Sequence, residues 1–154
     1  LDEPEPAGAY AVTHRRLWRL TSDADTSADV EDSAFALLRF KSGASLELAA
    51  SFALNQPPQQ QGLACRVFGD AACVDVYTSH GALIHRQFDP QGQSKPTPLR
   101  PPRLEGYPAL LRHFRECILG KAQPCVGPAQ GISLMKMIDA LYKSAESGKA
   151  TTLG

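Results

Sequence analysis

The sequence predicts an α+β domain, in which an open, mainly antiparallel β-sheet of about six strands carries two C-terminal helices on one face. Between residues 30 and 88, short apolar runs alternate with glycine-containing turns, which is typical of a meander of strands. After residue 106 the apolar spacing changes to three and four residues, which indicates amphipathic helices. Neither helix can bury its apolar stripe alone, so both are expected to pack on the sheet.

Length and charge restrict the class of protein. The chain has 154 residues, of which 16 are basic and 16 are acidic, so its formal net charge is zero. Nucleic acid and anionic membranes are therefore not expected as partners. No apolar run approaches the roughly 20 residues that span a bilayer. The four cysteines lack CxxC spacing and are interpreted as free thiols in a reducing cytoplasm.

The N-terminal segment precedes the strands. Residues 1–8 are acidic and proline-rich and are interpreted as a linker, and the first residue is Leu1. We therefore interpret residues 1–154 as a single domain cut from a longer protein. A strand is predicted at residues 10–20. Because the apolar positions there do not keep one period, this strand is expected to contain a bulge or a helical turn.

The hairpin between residues 30 and 55 organises the predicted sheet. Its three-residue loop, Lys41-Ser42-Gly43, ends in glycine, which supplies the positive φ that such loops need. This loop would place Leu38 opposite Leu46. One face of the second strand is regularly apolar and is expected to be buried.

The other face of this hairpin is not plainly solvated. It carries Phe35 and Leu37 beside Arg39 and Glu47, which lie at diagonal cross-strand range. A partly apolar second face indicates something that packs on it, such as another sheet, a missing domain or a second subunit.

Three more strands and two helices follow. Strands are predicted at residues 63–68, 73–78 and 82–88, and a proline-rich surface connection follows at 89–102. The first helix has Pro108 in its first turn and Gly120 at its C-terminal end. Gly148 ends the second helix, whose predicted apolar positions are Leu134, Ile138, Leu141 and Ala145. Residues 150–153 can add a short edge strand.

The common catalytic and cofactor motifs are missing from the sequence. There is no glycine-rich dinucleotide turn after a strand, no GxSxG and no HExxH. Cys65, Cys73, His80 and His85 match no common zinc spacing, and no third group would orient them for hydrolysis. We predict no catalytic, cofactor-binding or metal-binding residue in this chain.

Uncharged hydrogen-bonding residues cluster at the end of the hairpin and in the loop after it, namely Ser51, Asn55, Gln56, Gln59 and Gln61. Amide and hydroxyl side chains offer both donors and acceptors, which suits a polyol or sugar, although an ordinary polar loop has the same composition. His14, followed by two arginines, is a further candidate ligand residue, with an exposed basic strand as the alternative. The predicted substrate pocket comprises His14, Asn55, Gln59 and Gln61.

Four segments together resemble the C-terminal domain of the Gfo/Idh/MocA oxidoreductases, the group of glucose–fructose oxidoreductase and inositol dehydrogenase. They are, in order, VEDSAFALLRFKSGASLELAASF, CRVFGDAACVDV, FRECILGKAQP and IDALYKSAESGKATTL. The resemblance implies an open antiparallel sheet that completes the substrate pocket and builds oligomers through its exposed face. Phe35, Leu37, Arg39 and Glu47 are then the expected oligomer face.

The resemblance also implies a partner domain. In that family a Rossmann domain, which binds NAD or NADP, precedes this one. Its glycine-rich turn, Glu-Lys-Pro lysine and Asp…His helix have no counterpart here, so the chain alone is expected to bind no cofactor and to lack activity. Gln59 and Gln61 stand where the inositol dehydrogenase branch has aromatic residues, which leaves the specific sugar open.

One alternative remains at this point. The chain can also be a stand-alone binding or scaffold module, whose sheet recruits a partner and which has no enzymatic activity.

Overall fold

The computed structural model describes residues 5–15, 30–55, 57, 62–77, 81–86, 97–99 and 106–154. Contacts divide the chain into two compact units, Leu1–Asn55 with Pro124–Gly154, and Gln56–Gln123. The strands are β1 (Pro6–His14), β2 (Ser33–Phe40), β3 (Ser45–Ser51), β4 (Ala64–Phe68), β5 (Ala72–Tyr77), β6 (Gly81–Arg86), β7 (Thr97–Leu99) and β8 (Thr151–Thr152). The helices are α1 (Tyr107–Ile118) and α2 (Pro128–Ser147).

The first unit contains an antiparallel sheet in the order β3-β2-β1-β8. The β2–β3 hairpin has the predicted register, with Leu38 opposite Leu46. The Phe40 N–H donates to the Ala44 carbonyl at 2.9 Å, and Gly43 adopts φ 89°, which a side chain would strain. The local turn chemistry thus fixes which residues of this hairpin share a face.

The core of the first unit lies between α2 and the inner face of the sheet. Ala9, Leu38 and Ala140 are buried there, and four larger residues pack around them, namely Phe40, Met137, Leu141 and Leu153. The sheet-facing stripe of α2 is therefore rotated from the predicted one, and Leu134 is 53% exposed. Small residues on both elements let the helix backbone come close to β1.

A buried serine joins three elements of this unit. The Ser144 hydroxyl accepts a hydrogen bond from the Ala11 N–H at 3.0 Å and donates one to the Lys149 carbonyl at 2.7 Å. β8 pairs only with Gly8 and Ala9, so the ladder stops before Ala11. Ser144 thus provides the acceptor that a longer strand would have supplied.

The end of α2 and the following strand agree with the sequence prediction. Gly148 is left-handed at φ 67° and caps the helix, and its N–H donates to the Ser144 carbonyl. β8 then pairs with β1 at the edge of the sheet. The Thr151 hydroxyl donates to the Ala140 carbonyl at 3.0 Å, which ties this edge back to the helix.

Two strands of the first unit differ from the predictions. β1 begins at Pro6, inside the segment interpreted as a linker, and ends at His14, and residues 16–20 of the predicted strand lie outside the described residues. All seven residues of β3 are exposed, and Leu46 and Leu48 remain 45% and 41% exposed on the inner side. Period-two spacing identified the apolar face of β3 correctly, but α2 packs against β1 and leaves that face open.

The second unit has a four-stranded antiparallel sheet in the order β4-β5-β6-β7. β7 lies within the connection for which the sequence predicted no strand. Asp75 on β5 is buried, and Arg66 on β4, its register partner, binds its carboxylate with two guanidinium nitrogens. This ion pair provides the charge compensation that a buried carboxylate requires.

Helix α1 belongs to the second unit and has the predicted ends. Pro108 lies in its first turn, and Gly120 follows it at φ 70°. None of its residues is buried, and Leu110, Leu111 and Phe114 are 60 to 66% exposed. The α+β class with antiparallel strands is confirmed, although the eight strands among the described residues form two sheets of four instead of one of about six.

Replacement of Ser144 by alanine tests the hydrogen bonds that join α2 to β1. The Ser144→Ala variant should lose about 1 to 3 kcal/mol of unfolding free energy, because the buried Ala11 N–H loses its acceptor. Urea denaturation followed by circular dichroism measures this loss. Ser147→Ala is the matched control, because that exposed serine makes only local bonds and should change stability little. Equal effects of the two variants would contradict the role of Ser144.

Candidate functional site

Three strands of the first sheet meet at one end, where β1 stops, β2 starts and β3 stops. His14, Ser33 and Ser51 lie side by side there in the register of the sheet. We call this region the Asp32 end, after the buried residue that precedes β2. It contains the two residues of the predicted substrate pocket that the structure describes, His14 and Asn55.

Serine hydroxyls organise the backbone at the Asp32 end. Ser51 donates to the Asp32 carbonyl at 3.0 Å and lies 2.7 Å from the Ser33 hydroxyl. Its oxygen also accepts the N–H groups of Ala53 and Leu54, which ends β3 and turns the chain towards Asn55. Ser51 therefore has a structural role, although the sequence grouped it with the polar residues that suit a sugar.

His14 is exposed at the last position of β1. Its ring meets that of Phe35 edge-on, with 6.2 Å between the centroids and an interplanar angle of 67°. The His14 carbonyl accepts the Asp32 N–H at 2.8 Å, which fixes the backbone on which the ring is carried. The imidazole is thus positioned by an aromatic neighbour and remains accessible to a ligand.

The other predicted pocket residues follow β3. Asn55 is exposed four residues after the end of that strand, at the same end of the sheet as His14. Gln59 and Gln61 lie outside the described residues. The structure therefore brings two of the four predicted pocket residues to one end of the sheet.

A contact between α2 and the segment before β2 was not predicted from the sequence. The Tyr142 hydroxyl donates to the Glu31 carboxylate at 2.5 Å. This hydrogen bond holds the pKa of Glu31 below its ordinary value, assisted by the nearby charge of Arg15. It also raises the pKa of Tyr142, first through the hydrogen bond and then through the carboxylate charge. The only feature of the sequence that pointed to this contact was the position of Tyr142 at the border of the apolar stripe of α2.

The predicted oligomer face lies on the outer side of the same sheet, away from α2. Phe35 and Leu37 are 39% and 45% exposed there. Tyr10 and Val12 of β1, which are their register partners, extend the apolar surface. We call these four residues, together with Arg39 and Glu47, the outer face. In the sequence, alanine alternates with larger residues in Ala9-Tyr10-Ala11-Val12. This alternation is the feature that could have shown that β1 contributes Tyr10 and Val12 to the same face.

A groove lies at the opposite end of the first unit from the Asp32 end. Glu5, Lys41, Ile132 and Lys136 line this groove, and Lys41 and Glu5 form an ion pair at 2.6 Å. That pairing lowers the pKa of Glu5, first through the hydrogen bond and then through the lysine charge. Lys41 and Glu5 neutralise each other, and Lys136 adds one further positive charge to the groove.

The described residues do not fit a nicotinamide cofactor. Every strand pairing in this part of the chain is antiparallel, and no strand there leads through a glycine-rich turn into a helix N-terminus. Among the same residues, no group of three or more His, Cys, Asp or Glu side chains is placed to hold a metal ion. Neither described helix is long and apolar enough to cross a membrane.

Comparison with known families decides the identity of this fold. The Gfo/Idh/MocA model, described as the C-terminal α/β domain of an oxidoreductase family, matches residues 3–153. The chain belongs to this family. Membership confirms the resemblance seen in the four sequence segments and explains why antiparallel strands and two late helices occur together.

Individual relatives are sugar oxidoreductases. The chain is 27% identical to D-xylose 1-dehydrogenase (NADP(+)) 2 of Haloferax volcanii, over 95% of its own length and 46% of the relative. It is also 27% identical to aldose–aldose oxidoreductase from Caulobacter crescentus, solved with glycerol, with a TM-score of 0.69 over 97% of this chain and 42% of that one. The chain thus spans about half the length of these relatives.

A levoglucosan dehydrogenase, solved with NADH and L-sorbose, shares the fold. The TM-score is 0.75, over 97% of this chain and 45% of that one, at 14% identity. At this identity the likeness supports the fold alone.

Replacement of Tyr142 by phenylalanine tests its contact with Glu31. A lowered pKa means that the contact contributes stability above the ordinary pKa of the carboxyl, and that this contribution disappears as the pH falls through the lowered value. In Tyr142→Phe the pKa of Glu31 should rise towards its ordinary value. The variant and the original chain should then converge in stability once the pH lies below the lowered pKa of Glu31.

NMR titration of the Glu31 carboxyl carbon measures the shift directly. Tyr107→Phe, which removes an exposed hydroxyl from α1, is the control and should leave the titration of Glu31 unchanged. A Glu31 curve that is identical in Tyr142→Phe and the original chain would show that the hydrogen bond does not persist in solution.

Proposed function

We propose that this chain is the substrate-binding and oligomerisation domain of an NAD(P)-dependent oxidoreductase that acts on a sugar or polyol. Its membership of the family over residues 3–153 carries the proposal. Two relatives at 27% identity bear the names of enzymes that act on xylose and on aldoses. Both are about twice as long as this chain, which leaves room for a separate cofactor-binding domain.

The nicotinamide would be held by a Rossmann domain elsewhere in the longer polypeptide. The xylose dehydrogenase is named for NADP(+), and the levoglucosan dehydrogenase was solved with NADH. The described residues of this chain, by contrast, do not fit a dinucleotide. The hydride-transfer residues are therefore assigned to the other domain, and this chain supplies the wall of the pocket that faces it.

The Asp32 end is the proposed contribution of this domain to the sugar site. His14 is exposed there and is held by the Phe35 ring, and Asn55 offers an amide that can both donate and accept. Gln59 and Gln61 follow on the same segment of sequence. Hydroxyl groups of a sugar need both donors and acceptors, which this uncharged set provides together with the imidazole.

The outer face is the proposed oligomer interface. Its apolar side chains, Tyr10, Val12, Phe35 and Leu37, are each between 39 and 45% exposed although they adjoin one another on neighbouring strands. An apolar surface of this kind favours association. We also propose a cytoplasmic location, which is supported by four free cysteines.

Calorimetry with nicotinamide cofactors tests whether the cofactor is bound by a separate domain and not by this chain. The 154-residue chain should bind neither NAD(H) nor NADP(H), because its antiparallel sheets provide no dinucleotide turn. The longer polypeptide should bind one of them and reduce it in the presence of an aldose. Micromolar affinity of the 154-residue chain would contradict the assignment, and a longer polypeptide without cofactor affinity would favour a binding or scaffold module.

Substitutions at the Asp32 end test the sugar site in the longer polypeptide. His14→Ala and Asn55→Ala should each raise KM for the aldose by about 2- to 10-fold, as expected for one lost hydrogen bond, and should leave kcat nearly unchanged. Ser42→Ala, in the hairpin turn at the opposite end of the sheet, is the control and should alter neither constant. If KM stays constant in both variants, the sugar binds elsewhere.

A further inference from the structure

Helix α1 carries a histidine and a cysteine one turn apart on the same face. His113 and Cys117 are four positions apart in the sequence, and the Nε2 atom of the one lies 3.6 Å from the Sγ atom of the other. Both side chains are half-buried, on a helix of which no residue is fully buried. The sequence alone predicted no metal-binding residue, and neither side chain is used by the functions proposed above.

The separation of these two atoms matches that of two ligands on one metal ion. Zinc binds cysteine sulfur at about 2.3 Å and histidine nitrogen at about 2.0 to 2.1 Å, usually in tetrahedral geometry. Across a tetrahedral angle, these bond lengths place the sulfur and the nitrogen about 3.6 Å apart. The helix therefore already holds His113 and Cys117 at the spacing that a shared cation requires.

The backbone that carries the cysteine is fixed by the end of α1. The Gly120 N–H donates to the Cys117 carbonyl at 3.0 Å, and the Lys121 N–H donates to the Glu116 carbonyl at 2.9 Å. These bonds close the last turn through a left-handed glycine, so the ligand pair is carried on an ordered backbone. A preorganised pair loses less conformational freedom when it binds. The C-terminal end of a helix also favours positive charge.

We propose that His113 and Cys117 form a binding site for a divalent cation of the zinc class. Thiolate and imidazole ligands suit such cations, whereas magnesium and calcium prefer oxygen ligands. Two ligands four positions apart on one helix face can share a zinc ion, as the two histidines of an HExxH helix do. When the cation binds, the Cys117 thiol loses its proton to solvent, and the thiolate sulfur donates an electron pair to the metal.

The proposed site is open, because the chain supplies two of its ligands. In the part of the chain that the structure describes, no third His, Cys, Asp or Glu side chain is placed to complete a ligand set. Water fills the two remaining positions of a four-coordinate ion, so the metal is exchangeable, unlike that of a closed structural site. Arg115 is paired with Glu116 at 3.1 Å, which offsets its repulsion of a cation.

Titration of the 154-residue chain with Co²⁺ tests this site, because a cobalt–thiolate bond gives a charge-transfer absorption in the near ultraviolet. The original chain should show this absorption, and added Zn²⁺ should remove it by competition. Cys117→Ser should abolish it. His113→Ala should weaken binding by at least about ten-fold in dissociation constant, because one of the two ligands is lost. Cys65→Ser, which removes an exposed thiol from β4, is the matched control and should change neither the absorption nor the affinity.

A further variant separates chelation by the helix face from the chemistry of the thiol. Cys117→His places two histidines four positions apart, so it should retain Zn²⁺ binding in calorimetry but lose the charge-transfer absorption with Co²⁺. Calorimetry in buffers of different protonation enthalpy should show that the original chain releases about one proton per zinc ion. The circular dichroism of every variant should equal that of the original chain, because no residue of α1 is buried.

Three results would overturn the proposal. An absorption that persists in Cys117→Ser would assign the metal to another cysteine. Equal affinities of His113→Ala and the original chain would show that the imidazole is not a ligand. An original chain that shows neither absorption nor heat of binding in excess metal would show that the pair does not bind a cation. None of these results bears on the proposed function, which is tested at the Asp32 end and with the nicotinamide cofactors.

Discussion

The hydrogen bond from the Ala11 N–H to the Ser144 hydroxyl is the contact on which the first unit depends. It joins a central strand to a helix that lies 133 residues later in the chain. The same hydroxyl donates to the Lys149 carbonyl, and so holds the turn that starts β8. One side chain thus fixes the rotation of α2, its distance from β1 and the edge of the sheet. An alanine there would fill similar space but leave the buried Ala11 N–H without its acceptor.

The position of α2 determines which surfaces remain for function. The helix packs over β1 on the inner face of the sheet and does not cover the outer face. The same rotation that buries Ser144 directs Tyr142 to the border of the sheet, where its hydroxyl meets Glu31. This contact attaches the segment before β2 to the helix beside the end of β1. The surfaces at the Asp32 end and on the outer face therefore both depend on how α2 packs against β1.

Local patterns in the sequence predicted local structure well. Gly43 and Gly148 mark backbone positions with positive φ, and the register of the hairpin and the end of α2 followed from them. The sequence did not predict the stripe of α2, since Ser144 is polar and its acceptor role depends on a distant strand. β7 was missed because the prolines of residues 89–102 suggested a surface connection, although an edge strand tolerates a proline such as Pro98. At the candidate site, the sequence placed His14 and Asn55 near strand ends. That both lie at the same end of the sheet depends on the register of β1, β2 and β3 with one another.

Large apolar side chains lie on both faces of the first sheet, and those on the outer face remain partly exposed. In a self-sufficient domain the largest apolar residues line the core, because burial of each contributes about 1.5 to 3 kcal/mol. Here β1 directs Ala9 and Ala11 towards the helix and Tyr10 and Val12 away from it. β2 directs Phe35 and Leu37 to the open side and Leu38 and Phe40 towards the helix. Tyr10, Val12, Phe35 and Leu37 remain 39 to 45% exposed, and a second apolar layer on the outer face would bury this remaining area.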